Sequence, residues 1–184
     1  MMKLNKTLLI TSLILMGAFS RLLPHPPNFT AIASIGLFAG ALMGGRYLKF
    51  IIPFLALFIS DLAINNTIYA SYYDGFVLWR PGFLWVYAPM LIMAGFAPML
   101  IKKLNVKSVL GGSIAASLVF FVVSNFGVWL TDAMYPISIS GLIGCYAAAL
   151  PFLLNTLMGS VFFSAVFFGG FVLVKKYTPL LVKA

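Results

Sequence analysis

Lys102-Lys103-Leu104-Asn105-Val106-Lys107 puts three cations in six positions between two apolar runs. The runs, residues 83–101 and 108–131, each supply about the 20 apolar residues that a helix needs to cross a ~30 Å hydrocarbon core. Translocation leaves Lys and Arg in the cytoplasm, so this loop lies inside and both runs lead outward from it. Toward the N-terminus, further apolar spans fall at 50–66, 28–45 and 7–23, with a polar, aromatic stretch at 67–81. Toward the C-terminus the chain breaks at Tyr135-Pro136 and is apolar again from Gly141 to Val174. That run is too long for one crossing. Pro151 removes a backbone donor and disfavours helix in the residue before it. The expectation is therefore a short outer helix or re-entrant piece at 139–150 and a sixth span at 151–174.

The remaining charges agree with this count. Lys3, Lys6, Arg46, Lys49, Lys102, Lys103, Lys107, Lys175, Lys176 and Lys183 all fall on the inner side of a six-span chain. Arg21 and Arg80 oppose them, together with the three acids Asp61, Asp74 and Asp132. A seventh crossing would carry Lys175, Lys176 and Lys183 outside, against the bias. The expected fold is all-α: one integral membrane domain over residues 1–184, six transmembrane helices, both ends in the cytoplasm. A start of Lys3 and Lys6, an apolar run and Ala18-Phe19-Ser20 also describes a signal peptide. The apolar continuation at Arg21-Leu22-Leu23-Pro24 favours a retained helix.

Composition narrows the classes. At 62% hydrophobic and 8% charged residues, the chain has too little polar surface to cover a soluble globule. The net charge of +9 is scattered between apolar spans, without a basic helix, so it reads as a topogenic signal and not as a nucleic-acid surface. The single cysteine, Cys145, excludes an intramolecular disulfide and a cysteine-based zinc cluster. There is no HExxH, GxSxG, phosphate loop or close acid pair, so no enzyme is expected. No resident cofactor or intrinsic metal is expected either.

Polar residues inside spans are costly and usually face a bundle interior or water. Here they gather at one depth. Arg21 ends the first span, and His25 and Asn28 sit in the turn Pro24-His25-Pro26-Pro27-Asn28. Asp61 and Asn65 lie four apart near the outer end of the third span, and Asn125 and Trp129 likewise on the fifth. Tyr146 and Asn155 flank Pro151. The opposite half is hydrocarbon plus lysines. This asymmetry fits an outward-facing pocket for a small solute, mostly apolar with a few orienting polar groups. Arg21 and His25 are expected to meet an anionic or acceptor group of the solute. Asp61, Asn125 and Asn155 would supply hydrogen bonds, and Tyr69, Trp129 and Tyr146 would pack on a ring.

Each residue also has a plain structural role open to it. Asn28 is suited to capping the second helix. Trp85 and Trp129 are suited to interface anchoring, and Asp61 to an ion pair with Arg21. Cys145 has no basic neighbour to make a thiolate. Gly36, Gly40 and Gly44 recur every fourth residue on one face of the second span. That face suits either close packing inside the chain or docking of a partner helix.

Three blocks carry a resemblance. Arg21-Leu22-Leu23-Pro24-His25-Pro26-Pro27-Asn28-Phe29-Thr30, Asn125-Phe126-Gly127-Val128-Trp129-Leu130 and Gly141 through Phe152 resemble an uncharacterised family of small bacterial membrane proteins assigned to transport. The general shape is similar to the substrate-binding S components of energy-coupling factor (ECF) vitamin transporters. That resemblance implies a bacterial inner-membrane protein that binds a vitamin or similar micronutrient near its outer face, with cobalamin or a related vitamin as the leading substrate class. Its partners would be a transmembrane coupling subunit and two ATPases. The first span lacks the Ala-x-x-x-Ala docking pattern of such proteins, which leaves use of an ATPase module open. Similarity to solitary cobalamin transporters implies Cys145 or His25 as a cobalt ligand of a bound cobalamin. Two other readings stand beside the transporter: a non-transporting subunit organising a complex through the glycine stripe, and a small proton-coupled carrier depending on Asp61.

Overall fold

The computed structural model describes residues 6–177. Lys3 and Lys183, counted above with the inner cations, lie outside the described residues. Within them the chain is all-helical, with no strand: α1 Lys6–Phe19, α2 Ile32–Leu42, α3 Leu48–Asn66, α4 Phe83–Leu100, α5 Val106–Thr131 and α6 Ile139–Tyr177. Four of these, α3 to α6, are long and apolar enough to cross a membrane.

The helices have sequence-encoded ends. Asn105 accepts a hydrogen bond from the Ser108 N–H at 2.9 Å in a capping box that starts α5. Ser138 Oγ accepts from the Gly141 N–H at 3.1 Å and starts α6. Gly82 precedes α4 at φ 75°, a left-handed position that glycine adopts without penalty.

Four expectations need correction. The second span, read as 28–45, forms a helix only over Ile32–Leu42. Its 11 residues rise about 16 Å, too little for the hydrocarbon core. Asn28 does not cap it. The capping position is Ala31, and Asn28 sits in the preceding turn at φ 63°, where asparagine is tolerated. Third, Pro151 does not divide the last apolar run, because α6 is one helix of 39 residues. In apolar surroundings neighbouring groups and local adjustments re-satisfy the carbonyl that a proline frees, so the helix outlasts the local penalty. The first span is also shorter than 7–23: α1 ends at Phe19 and a 3₁₀ turn, Ser20–Leu22, leads into Pro24.

Helix α2 is the axis of the bundle. Every residue from Ile32 to Gly40 is buried, and the helix touches each of the other five. It is apolar all round because it has no face toward solvent or lipid. A Cβ at Gly36 would run into the Met90 carbonyl, and one at Gly40 into that of Ala94. These two glycines therefore form the close seam between α2 and α4. A Cβ at Gly44 would meet open space. On the other side Phe38 packs among Phe167, Phe168 and Phe171. Ser34 Oγ donates to the Ser160 carbonyl at 2.8 Å and accepts from Ser164 Oγ at 3.2 Å, tying α2 to α6.

The outward faces of the long helices are apolar. Val122, Leu154 and Phe162 are 52%, 62% and 52% exposed. Such faces are an aggregation hazard in water and a normal boundary in lipid. Charges divide between the two ends of the bundle. Lys6, Arg46, Lys49, Lys102, Lys103, Lys107, Lys175 and Lys176 lie at one end, hereafter the lysine end. Arg21, Asp61, Asp74, Arg80 and Asp132 lie at the other, the carboxylate end.

Candidate solute site

At the carboxylate end a cavity of about 430 Å³ opens between α3, α4, α5 and the turn that leads into α2. Arg21, His25, Asn28, Asp61, Tyr69 and Arg80 line it, with Thr30, Ile32 and Asn65. Five of the nine solute-binding residues expected from the sequence thus share one space: Arg21, His25, Asn28, Asp61 and Tyr69.

Its floor is a charged network built by three segments. The 3₁₀ turn after α1 aims Arg21 across to α3, where Nη1 meets Asp61 Oδ1 at 2.6 Å and donates to Ser60 Oγ at 2.9 Å. The second carboxylate oxygen accepts from the Tyr87 hydroxyl of α4 at 2.7 Å. Both side chains are largely shielded, at 13% and 20% exposure. A shielded pair persists only when its remaining lone pairs and protons are also engaged, and Ser60 and Tyr87 do that here. Asp61 is therefore occupied on both oxygens.

Two groups around this floor lack protein partners. Asn65, one turn beyond Asp61, is only 4% exposed and lines the cavity, and its amide makes no hydrogen bond among the described residues. Arg80 lines the same cavity and makes no ion pair among the described residues. Its position is set by its neighbours. Trp79 stacks on Phe58 and Phe83 with ring centroids 4.5 and 4.6 Å away. Asn66 bonds both backbone groups of Val77, donating at 2.9 Å and accepting at 2.8 Å. Arg80 also borders a second cavity of about 470 Å³ between α4 and α5, beside Trp85, Ser124 and Asp132. The Asn65 amide and the Arg80 guanidinium are therefore both free to bond a molecule held in the cavity.

The other four residues are held elsewhere. Asn125 donates to the Phe121 carbonyl of its own helix at 2.7 Å. Tyr146 donates to the Val122 carbonyl at 2.7 Å, joining α6 to α5. Trp129 Nε1 donates to the Pro136 carbonyl at 3.1 Å and closes the α5–α6 loop. Asn155 does act on the cavity, from behind. Its amide donates to the Pro27 carbonyl at 3.0 Å and fixes the turn carrying His25 and Asn28. Gly159 lets that turn lie flat on α6, since a Cβ there would press on Phe29 and Thr30. Of the two cobalt-ligand candidates, His25 lines the cavity, whereas Cys145 is buried with its thiol toward the Asn125 carbonyl at 3.4 Å. No cluster of three or more metal-ligating side chains occurs among the described residues.

A family model described as a family of unknown function, DUF6580, matches residues 2–181. The chain belongs to this family. No curated protein and no solved structure matches it. The three blocks that carry the resemblance have separable places in the fold. The His-Pro-Pro-Asn block lines the cavity. The Asn125–Trp129 block supplies Gly127, on which Trp85 lies so closely that a Cβ would collide with its ring. The Gly141–Phe152 block supplies α5–α6 packing through Cys145 and Tyr146.

Arg80 and Asn65 were not among the site residues expected from sequence. Arg80 carried a signal all the same, as one of only two cations that defy the charge bias. Asn65 carried its four-residue spacing from Asp61.

Proposed function

We propose that this chain is the solute-binding component of a membrane uptake system and captures a small anionic micronutrient at its carboxylate end. The observation that carries the reading is the cavity in which Arg80 and the shielded Asn65 amide stand without protein partners beside the Arg21–Asp61 pair. Two guanidiniums against one carboxylate give the cavity a surplus positive charge. The N-terminus of α2 adds to it, since Thr30 and Ile32 both line the space and a helix start favours anions.

The topology in this proposal has six crossings, the lysine end in the bacterial cytoplasm and the cavity outside, as the charge bias requires. Helices α1 and α2 cross with help from their flanking segments. Non-helical backbone at membrane depth is tolerated where protein buries it. The count and inward ends are similar to those of ECF S components, with a coupling subunit and ATPases as the energy source of that arrangement.

A volume of about 430 Å³ lies toward the small end of the range for ligand pockets, roughly 300–1,000 Å³. That volume suits a one- or two-ring carboxylate or phosphate better than a corrinoid, even though His25 lines the cavity, and the smaller anion is the solute class proposed. A thermal-stability screen of the purified protein against small anions, cations and neutral compounds tests this. An anion at 100 times its Kd is expected to add about 2.7 kcal/mol. Stabilisation by cationic compounds alone would refute the proposal.

A further inference from the structure

We propose that the lysine end binds one anionic phospholipid, its acyl chain in a groove between α5 and α6 and its phosphate against Lys102, Lys103 and Lys107. The groove holds about 480 Å³ and is almost wholly apolar. Val161, Ala165, Phe168 and Val172 form its α6 wall, recurring at helical spacing on one face. From Val161 to Val172 the helix rises about 16 Å, close to half of a ~30 Å core. The groove is therefore as deep as one leaflet. Gly169 also lines it, and a Cβ there would meet no atom within 4 Å, so a larger side chain at this position would extend into the groove.

Charge identifies the occupant. Leu104, Asn105 and Val106 line the groove at the lysine end, and Lys102, Lys103 and Lys107 flank them along the chain. All three are exposed. The chain's three acids, Asp61, Asp74 and Asp132, all lie at the opposite end, so no acidic side chain neutralises these cations. A lipid phosphate supplies that charge at the depth where a leaflet's headgroups meet such lysines. The capping box at Asn105 holds the loop in shape without using any lysine. This inference needs membrane residence only and stands or falls independently of the solute reading.

Native mass spectrometry of the purified chain from micelles with equal phosphatidylglycerol and phosphatidylcholine tests it. The expected result is one retained lipid, phosphatidylglycerol favoured about tenfold, with glycerol phosphate failing to compete. Lys102→Gln/Lys103→Gln/Lys107→Gln should erase the preference while leaving some lipid bound. Gly169→Leu should lower retention of both lipids. High salt on the unaltered protein, which screens the lysines, should reproduce the triple variant if that variant fails to fold. Equal retention of the two lipids, a preference that survives the triple substitution or high salt, or unchanged retention in Gly169→Leu would overturn the proposal. So would displacement of lipid by a copurifying protein.

Discussion

The two ends of the bundle solve opposite problems with the same backbone. At the carboxylate end one pair, Arg21 and Asp61, is drawn largely out of solvent and matched to Ser60 and Tyr87, while Asp74, Arg80 and Asp132 stay exposed. At the lysine end most cations stay exposed and none makes an ion pair among the described residues, although Arg46, Lys49 and Lys176 lie over the rings of Tyr47, Phe50 and Tyr177. The first end is chemically specific and the second is specific only in charge. What differs is desolvation. A shielded charge costs several kcal/mol unless its partners are placed, whereas an exposed lysine can be moved or replaced at little cost.

The contrast is most exposed to failure at Arg21. Arg21→Ala leaves Asp61 shielded and unpaired and should cost about 3 kcal/mol in a denaturation assay, while Lys102→Ala should change stability by less than about 0.5 kcal/mol. Asp61→Asn combined with Arg21→Met should recover part of the loss, because the pair is removed together. Equal costs for Arg21→Ala and Lys102→Ala would erase the distinction between the ends.

Affinity sharpens the contrast further. Asn65→Ala and Arg80→Gln should each weaken binding of the anionic solute about tenfold, or ~1.4 kcal/mol, measured by titration calorimetry, with little change in stability. Asn155→Ala should cost about 1 kcal/mol of stability, one hydrogen bond to the Pro27 carbonyl, and weaken solute binding only through the displaced turn. The smallest effect is expected at Asn125. Its amide serves only its own helix, so Asn125→Ala should leave affinity within about twofold on the same calorimeter.

Much of this contrast was legible in the sequence, because charge and hydropathy report depth directly. The spans at 50–66, 83–101 and 108–131 correspond closely to α3, α4 and α5, and Arg21, His25, Asn28, Asp61 and Tyr69 line one cavity. Azimuth was not legible. A helix that is apolar all round gives no phase from which to say which way Asn125 or Tyr146 points, and both turn out to bond backbone carbonyls. Helix length at α2 and α6 also escaped, in opposite directions. Apolar turn residues beside α2 look like span, and Pro151 in α6 looks like a break. The glycine stripe favoured inner packing without excluding outer docking, and the α4 carbonyls against Gly36 and Gly40 place those two glycines inside the chain, whereas Gly44 faces open space.

The most direct measurement is mass spectrometry of small molecules that copurify with the protein, repeated on Arg80→Gln and Asn65→Ala. The expected result is a small anion in the unaltered protein that is depleted in both variants and retained in Asn125→Ala. A cationic or uncharged solute, or an anion retained in both cavity variants and lost in Asn125→Ala, would contradict it.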